Sequence, residues 1–355
     1  MKFILKKLKN KLFAPISFLW ELIYRVRRLA YNTGVLSSKR FAYPVISVGN
    51  ISFGGTGKTP LIMWLSEFIN KREQSSIILT RGYKSQKEKS YAILSHFQKK
   101  RASAKDIGDE AMMILERLQK GSVIVGRKRV DNLIYAADKV DGDVVLLDDG
   151  HQHLKIERDM NIVLFDALMP LSRYHTPPLG YLREGLTAIK DSNFILIGRT
   201  DQTTREKVEG LKQLILKHAP RKVPIAEFCY VPDGVYDKDN KKLGEGDFLK
   251  GKRVCAVTAI ASPKSFYNMI DHLGGVIVKK FAFADHYFYT EDDLDKIQEF
   301  QKKEDILVVT TEKDFVKLSS IKHPLNFAYC KIDINFTSGE EEFKNELRRV
   351  CDGLA

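Results

Sequence analysis

The sequence contains few cysteines and lacks a long uninterrupted apolar run. Four cysteines occur in 355 residues, far apart in the second half of the chain: Cys229, Cys255, Cys330 and Cys351. Because no two of them have metal-ligand spacing, we expect reduced thiols in a cytosolic setting. The apolar stretch at 12–24 is interrupted by Pro15, Ser17 and Glu21. A membrane-spanning helix needs about 20 apolar residues, so this stretch is not expected to cross a bilayer.

Acidic residues are almost absent from the first 40 residues. This segment has ten Lys and Arg against one acid, Glu21, and so carries +9 of the total net charge of +13. The other 315 residues carry only +4. A nucleic-acid groove spreads positive charge over the fold, whereas here the charge is concentrated at one end. We therefore expect no nucleic-acid partner, and the sequence identifies no protein partner.

The basic N-terminal segment has the pattern of an amphipathic helix. Apolar residues recur at helical spacing, and a narrow polar stripe contains Ser17, Glu21, Arg25 and Arg28. Five lysines precede residue 12, a charge that suits anionic lipid. The pattern predicts a helix lying in the plane of a membrane surface. A signal peptide is an alternative, although no small-residue cleavage site is evident. A core-packing first helix with a solvated basic face is another.

Strand-like and helix-like segments alternate along the rest of the chain. Predicted strands are 44–49, 76–80, 122–125, 143–147, 161–165, 194–197, 253–258, 276–283, 306–310 and 327–334. Predicted helices are 60–71, 109–119, 128–137, 204–218, 263–273, 290–303 and 340–351. This alternation predicts an α/β fold with a mostly parallel sheet and helices on both faces. We expect an N-terminal helix at 1–35, a P-loop NTPase-like catalytic domain at 36–220, and a smaller α/β domain at 221–355 that closes over the nucleotide.

The segment "VGNISFGGTGKTP", residues 48–60, is a candidate phosphate-binding loop between a strand and a helix. Glycines let the backbone turn its N–H groups around phosphate oxygens, and the candidate loop residues are Gly54, Gly55, Thr56 and Gly57. Lys58 is expected to reach the terminal phosphates and the Thr59 hydroxyl to bind Mg²⁺. Pro60 suits the first helical position. Ser52 stands where the usual pattern has glycine, and a chance glycine-rich turn is the alternative.

A second motif, "DVVLLDDG", ends a buried strand with Asp148 and Asp149. A metal-bridged phosphate needs an acid at the end of a neighbouring strand, and we expect Asp148 to bind the metal and Asp149 the nucleotide. Without the loop, two aspartates before a glycine would predict only a turn. His151 and His153 follow, but their spacing matches no zinc pattern.

These residues, with others along the chain, resemble the tetraacyldisaccharide 4′-kinase family of lipid A biosynthesis. Eight motifs occur in order: "VGNISFGGTGKTP", "LTRGY", "IGDEAMM", "VGRKRVDN", "LLDDGHQHLKIERD", "PLGYLREGL", "FADHYFYTEDDL" and "TTEKDFVKL". The family uses a variant loop, which fits Ser52. His151 replaces the aromatic of the family's usual "DDGFQH", leaving Asp148, Asp149 and Gln152 in place.

The resemblance implies an alcohol-group phosphotransferase acting at the cytoplasmic face of the bacterial inner membrane. Such an enzyme transfers the γ-phosphate of ATP, with Mg²⁺, to the 4′-hydroxyl of a tetraacylated glucosamine disaccharide 1-phosphate, and the product is lipid IVA. Because the acylated substrate stays in the bilayer, the enzyme must come to the membrane, which agrees with the predicted N-terminal helix.

The resemblance also assigns roles that the residues alone do not. Taken alone, Asp109 is a helix cap and His286 a turn residue. In the family pattern Asp109 aligns with the general base that takes the proton of the attacking hydroxyl, and His286 orients it and tunes its pKa.

Several further residues can be interpreted either as ordinary surface residues or as functional ones. Arg81 and Arg129 are either solvated charges or guanidinium groups that bind phosphate on ATP or on the substrate. Arg183 and Glu184 are either a surface ion pair or active-site residues, with Glu184 near the metal or the acceptor. The family pattern places Gln152 at the nucleotide, and it places the "TTEKD" turn at 310–314 there as well.

Two other functional classes remain as alternatives. A nucleotide switch or partitioning ATPase also uses a "GKT" loop, but a GTP switch needs Asp-x-x-Gly and Asn-Lys-x-Asp motifs, and "GRTD" at 198–201 only imitates the second. A charge-recruited nucleic-acid-binding module is the other, and a salt-dependent oligonucleotide-binding assay tests it.

Overall fold

A computed structural model of the chain describes residues 2–220 and 222–353, and for residues 2–11 it describes the backbone alone. The α-helices are α1 (Lys2–Asn32), α2 (Lys58–Asn70), α3 (Ala104–Ile107), α4 (Asp109–Arg117), α5 (Arg129–Ala136), α6 (Arg205–Leu216), α7 (Pro263–His272), α8 (Glu291–Glu304), α9 (Glu312–Leu318) and α10 (Glu340–Cys351). Short 3₁₀ helices cover His96–Arg101, Leu171–Arg173, Leu186–Asp191 and Thr200–Gln202.

The strands are β1 (Val45–Asn50), β2 (Ser76–Thr80), β3 (Ala92–Ser95), β4 (Gly121–Val125), β5 (Val144–Asp148), β6 (Met160–Asp166), β7 (Phe194–Gly198), β8 (Ile225–Asp237), β9 (Lys242–Gly244), β10 (Arg253–Thr258), β11 (Val276–Ala282), β12 (Leu307–Thr311) and β13 (Ala328–Ser338). The described chain forms two compact units. The first consists of the described parts of Met1–Leu79, Asp141–Cys229 and Asn335–Ala355, and the second of Thr80–Val140 and Tyr230–Ile334.

The first unit is built on a parallel sheet in the order β8-β7-β6-β1-β5-β2. Its central strand β1 is buried along its whole length, as is typical of a parallel strand covered on both faces. Alternate residues of β7 point to opposite faces. Ile195 joins an apolar cluster with α6, whereas the Phe194 ring lies 4.8 Å from the Phe343 ring of α10. Helices therefore cover both faces, as the alternating sequence pattern predicts.

The second unit contains a parallel sheet in the order β11-β10-β12-β13. Its apolar core includes Val254 and Ala256 of β10 and Phe266 and Ile270 of α7. Two antiparallel pairs also lie in this unit: β3 with β4, and the part of β8 after Cys229 with β9. Helices α4 and α9 pack against each other. Lys313 at the start of α9 contacts Asp109 and Glu110 at the start of α4.

The predicted fold class is confirmed: the sheets are mostly parallel, helices cover both faces of the first, and a second α/β unit and an N-terminal helix are present. The main omission is β8, since no strand was predicted between residues 218 and 253. Strand β8 contains Pro232 and Gly234, residues that normally interrupt a strand. Pro60, predicted as the first helical residue, is the third residue of α2.

The compact units are not the segments that the sequence predicted. Residues 80–140 were expected in the catalytic domain at 36–220, but they group with the second unit. Residues 335–353 group with the first unit rather than with 221–355. The chain changes unit after Leu79, Val140, Cys229 and Ile334. A division of the sequence into consecutive segments cannot represent a chain that returns in this way.

Helix α1 is oriented with its polar stripe toward the first unit. Ser17 Oγ lies 2.7 Å from Thr176 Oγ1, and Arg28 is buried. Large apolar side chains on the other side are exposed: Leu12, Ile16, Phe18, Leu19, Leu22, Ile23, Val26 and Leu29. This arrangement is the reverse of a core-packing helix with a solvated basic face. The predicted lysine tail before residue 12 lies outside the described side chains.

No helix in the described ranges has both the length and the apolar content to cross a bilayer.

Candidate active site

The glycine-rich loop joins β1 to α2 in the first unit. Gly57 precedes α2 with φ of 82°, and Gly54 has φ of 102°, conformations that favour glycine. Helix α2 begins at Lys58, so the N-terminus of α2 and the N–H groups of its first turn adjoin the loop. Pro60 lies within that first turn, where an N–H has no partner inside the helix. The local structure therefore has the features of an anion-binding site.

Lys58 connects the loop to the second aspartate of the acidic motif. Its Nζ lies 3.3 Å from Asp149 Oδ1 and 3.3 Å from Asn50 Oδ1. Asp149 follows β5 with φ of 51°, a left-handed conformation that is costly for a residue other than glycine. Arg183 Nη1 donates to both oxygens of Asp149, at 3.0 and 2.7 Å. Two cationic side chains, Lys58 and Arg183, thus share the Asp149 carboxylate beside the loop.

The segment that carries Arg183 is hydrogen-bonded to the start of the loop. The N–H of Arg183 donates to Ile51 O at 2.6 Å, and the N–H of Phe53 donates to Tyr181 O at 2.7 Å. Ser52 and Leu182 form an isolated antiparallel bridge. Because of these bonds, the Arg183 backbone has a fixed position relative to the loop.

Glu184 has a different partner from the predicted metal or acceptor. It is buried, and its Oε2 accepts from Arg28 Nε of α1 at 2.5 Å. Arg28 Nη1 also donates to Asp191 Oδ2 at 2.7 Å, and Trp20 Nε1 donates to Arg183 O at 3.0 Å. The "YLREG" segment therefore joins α1 to the phosphate loop, a link that sequence reasoning missed.

The predicted metal ligands are oxygen donors in the same unit. Thr59 is buried in the first turn of α2, and Asp148 is buried at the end of β5. Strand register pairs Asp148 with Val48 of β1, the strand that leads into the loop. Mg²⁺ prefers oxygen ligands and keeps several waters, so one hydroxyl and one carboxylate suit it. Among the described residues no group of three or more His, Cys, Asp or Glu could hold a metal ion.

Gln152 and His151 lie beside the loop but face protein partners. Gln152 Nε2 donates to Asn50 O at 2.8 Å, which ties the predicted nucleotide residue to the end of β1. The buried ring of His151 has Nδ1 3.2 Å from Asn161 Nδ2. Burial, with the charges of Arg28 and Arg158, holds the pKa of His151 well below its usual value, so the ring is neutral.

The predicted general base and its partner are together in the second unit. Asp109 is the buried first residue of α4, and its Oδ2 lies 2.9 Å from His286 Nδ1. His286 has φ of 61°, an uncommon conformation for a histidine. Burial alone would raise the pKa of Asp109, but the hydrogen bond with His286 and the charges of Lys313 and Lys317 lower it. Asp109 is therefore a carboxylate at neutral pH.

Lys313 is a further member of this cluster, and its role was not predicted from the sequence. It lies in the "TTEKD" turn, and its Nζ is 3.7 Å from Asp109 Oδ2 and 3.4 Å from His286 Nε2. The signal available in the sequence was the position of the motif directly after a strand, where ligands gather in open α/β sheets.

The two remaining predicted arginines also lie in the second unit. Arg81 Nε donates to Glu88 Oε1 at 2.7 Å, and its side chain is partly exposed. Arg129 is buried as the first residue of α5. Both follow strands, β2 and β4, at the ends where a phosphate ligand would be expected.

Comparisons with known proteins agree on one family. Residues 9–352 match the family model described as Tetraacyldisaccharide-1-P 4′-kinase. A tetraacyldisaccharide 4′-kinase of Halothermothrix orenii is 32% identical over 336 residues, covering 89% of this chain and 86% of the relative. The corresponding protein of Desulfotalea psychrophila is 34% identical and covers 86% and 87%.

The crystal structure of LpxK from Aquifex aeolicus in complex with ATP matches this chain with a TM-score of 0.77. The identity is 28%, and the match covers 96% of this chain and 99% of the other. The loop, the paired aspartates and the Asp109–His286 pair are thus found in a chain that these proteins match along most of its length. This chain belongs to the tetraacyldisaccharide-1-P 4′-kinase family.

Proposed function

We propose that the protein transfers the γ-phosphate of ATP to the 4′-hydroxyl of a tetraacylated glucosamine disaccharide 1-phosphate, giving lipid IVA. The observation that carries the proposal is the contact of Lys58 with Asp149 at the glycine-rich loop, 3.3 Å between Nζ and Oδ1. Phosphoryl transfer needs alignment and charge neutralisation more than covalent help, and a lysine and an arginine beside a helix N-terminus supply both.

Each residue has a proposed role that follows from its chemistry. Lys58 and Arg183 neutralise phosphate oxygens, and the loop amides of Gly54, Gly55, Thr56 and Gly57 hold the polyphosphate. Thr59 and Asp148 would hold Mg²⁺, which would offset the negative charge of the phosphate groups. Gln152 supports the loop through Asn50. Arg81 and Arg129 bind phosphate on ATP or on the acceptor.

The acceptor hydroxyl is activated by the second unit's acid–base pair. Asp109 accepts the proton of the attacking 4′-hydroxyl, and its ionised state at neutral pH suits that task. His286 orients the Asp109 carboxylate through the 2.9 Å contact with Nδ1. Glu184 acts indirectly, because its carboxylate is held by Arg28 of α1.

The protein is proposed to act on a membrane surface, at the cytoplasmic face of the inner membrane where ATP is present. Support comes from α1, whose exposed side carries eight large apolar side chains at residues 12–29. An exposed apolar stripe of this size marks an interaction site. A bilayer surface suits it because the acylated substrate is held there.

The test is transfer of radiolabelled γ-phosphate to a tetraacylated disaccharide 1-phosphate by the full chain. We expect labelled lipid with the wild type and a loss of about a hundredfold or more with Lys58→Ala. Lys71→Ala is the matched control, because Lys71 is an exposed lysine that directly follows α2. Hydrolysis of ATP that does not depend on the lipid, without labelled product, would support the nucleotide-switch alternative instead. Normal transfer by Lys58→Ala would overturn the loop assignment.

A further inference from the structure

Lys313 lies at the centre of the charged cluster around Asp109. Its side chain is 18% exposed, and its Nζ lies 3.4 Å from Asp285 Oδ1 and 3.6 Å from Glu110 Oε1. The same atom is 3.7 Å from Asp109 Oδ2 and 3.4 Å from His286 Nε2. One ammonium group thus contacts three carboxylates and the far nitrogen of the imidazole that touches the proposed base.

The neighbours of the His286 ring select one tautomer. Nδ1 lies 2.9 Å from the Asp109 carboxylate, which can only accept a hydrogen bond, so Nδ1 must carry a proton. Nε2 lies 3.4 Å from the Lys313 ammonium, which can only donate a hydrogen bond, whereas the acceptor Asp285 Oδ2 is 3.7 Å away and beyond hydrogen-bond distance. The nearer contact therefore requires Nε2 to offer its lone pair. Both contacts are satisfied by a neutral imidazole with its proton on Nδ1.

The backbone of Lys313 is held from both sides. Arg117 donates to both oxygens of Glu312, each at 2.6 Å. Asp314 Oδ2 accepts from Thr258 Oγ1 at 3.0 Å and from the N–H of Ala259 at 3.0 Å. The residues immediately before and after Lys313 are therefore anchored, and its ammonium group is directed by a fixed turn of α9.

We propose that Lys313 is a positioning residue for phosphoryl transfer, because its ammonium group holds His286 in the Nδ1–H tautomer against Asp109. The catalytic part of this inference rests on the proposed function of Asp109 as the base, whereas the tautomer does not. A neutral His286 with its proton on Nδ1 orients the carboxylate by hydrogen bonding. It also leaves the other lone pairs of the carboxylate available for the proton of the acceptor hydroxyl.

Charge supports the same arrangement. Burial lowers the pKa of Lys313, but the charges of Asp109, Glu110 and Asp285 outweigh it and raise the pKa, so the ammonium form persists. The charged groups around the Asp109–His286 pair come from three segments: Glu110 on α4, Asp285 before α8, and Lys313 and Lys317 on α9. Removing the Lys313 charge leaves Lys317 as the remaining lysine among these groups.

The first test observes the His286 ring in the full chain labelled with ¹⁵N-histidine, with the signals assigned by their loss in His286→Gln. In the wild type we expect a protonated Nδ1 and an unprotonated Nε2. In Lys313→Met the unprotonated Nε2 signal should be lost, because no ammonium group then disfavours a proton on Nε2. The ring can become an imidazolium or adopt the other neutral tautomer. Lys313→Arg keeps a donor without an acceptor and should retain the wild-type signals.

Lys322→Met is the matched control, since this exposed lysine lies in the segment after α9. A wild-type Nε2 that carries a proton, or a Lys313→Met spectrum identical to the wild type, overturns the inference.

The second test measures kinetics on the acylated disaccharide. Lys313→Met should lower kcat about tenfold or more, change the KM for ATP less than twofold, and move the acidic limb of the kcat/KM profile to higher pH. Lys313→Arg should recover most of kcat.

A fall in kcat with an unchanged His286 spectrum would mean that Lys313 acts directly on the substrate. If the wild type transfers no phosphate to the lipid, the proposed function fails, and the spectra still decide the tautomer. Unchanged thermal unfolding of each variant confirms that it is folded.

Discussion

Asp109 combines burial with an ionised carboxylate, and the two properties predict its kinetic effect. It begins α4 at 4% exposure, and it contacts His286. We expect Asp109→Ala to lower kcat by about a hundredfold to ten-thousandfold, because proton transfer to a positioned base contributes that much. The Kd for ATP should change little. Steady-state kinetics and equilibrium nucleotide binding measure the two effects, and a larger loss in ATP binding than in kcat would remove Asp109 as the base.

His151 makes the stability of the first unit depend on pH. The ring is buried, its Nε2 has no hydrogen-bond partner among the described residues, and its pKa is lowered well below the usual value. Below about pH 6.5 His151 binds a proton in the unfolded chain but not in the folded one. The free energy of unfolding therefore falls by about 1.4 kcal/mol for each pH unit that the pH decreases.

His151→Phe removes this proton-linked loss. Between pH 6 and 5 we expect the variant to gain about 1.4 kcal/mol in unfolding free energy relative to the wild type, as measured by denaturant unfolding. His272→Phe, at an exposed position at the end of α7, is the control and should follow the wild-type slope. Parallel wild-type and His151→Phe curves across this range would contradict the assignment of a neutral buried imidazole.

At the scale of elements, α1 is a structural part of the first unit. Arg28 is its main anchor, because it pairs with the buried Glu184 at 2.5 Å and with Asp191 at 2.7 Å. Arg28→Met leaves a buried carboxylate without its partner and should cost about 3–5 kcal/mol. Thermal unfolding measures the loss.

A matched variant and a second-site change isolate this effect. Arg25→Met removes a half-exposed arginine of the same helix and should cost less than about 1 kcal/mol. Adding Glu184→Gln to Arg28→Met should recover part of the stability, because the double variant no longer buries an unpaired charge. No recovery would mean that Arg28 acts through packing alone.

The elements differ in how well the sequence predicted them. The β1–loop–α2 segment was predicted because its signals are local: an apolar strand, glycines and a helical pattern within 26 residues. The side of α1 that faces the protein was not, since the partners of Ser17 and Arg28 lie 159 and 156 residues away. Strand β8 was missed because Pro232 and Gly234 carry the usual signal of a turn.

The candidate site, too, depends on contacts between residues that are far apart in the sequence. Asp109 and His286 are 177 residues apart, and the family resemblance rather than any spacing brought them together. Lys313 was missed because a lysine in the first turn of a short helix is an ordinary surface residue in a sequence. Glu184 was assigned to the metal or the acceptor because a sequence does not show that Arg28 holds its carboxylate.

At the scale of the whole molecule, the exposed stripe of α1 predicts recruitment to a bilayer. Leu19 and Ile23 are 57% and 60% exposed, so serine there should not disturb the fold. We expect Leu19→Ser/Ile23→Ser to weaken binding to vesicles of phosphatidylethanolamine and anionic phosphatidylglycerol by about tenfold or more. Vesicle flotation of the full chain measures the binding of the wild type and of the double variant.

The control for this experiment is Leu216→Ser, which removes a 50% exposed leucine from α6 of the same unit. Its vesicle binding should equal that of the wild type. These substitutions are preferable to deleting residues 1–30, because the deletion also removes the Arg28 partner of Glu184. Unchanged flotation of the double variant would argue against membrane docking through this stripe.

The repeated return of the chain between the two units has a consequence for biosynthesis. The first unit includes α10 and the end of β13, so its assembly waits until residues 335–353 leave the ribosome. Neither unit is a contiguous gene fragment, and a chain stopped at residue 220 lacks the aromatic side chains of Phe336 and Phe343 that pack on Trp64. We expect a 1–220 fragment to be insoluble or rapidly degraded when expressed alone, and limited proteolysis of nascent chains should show protection arising only near full length.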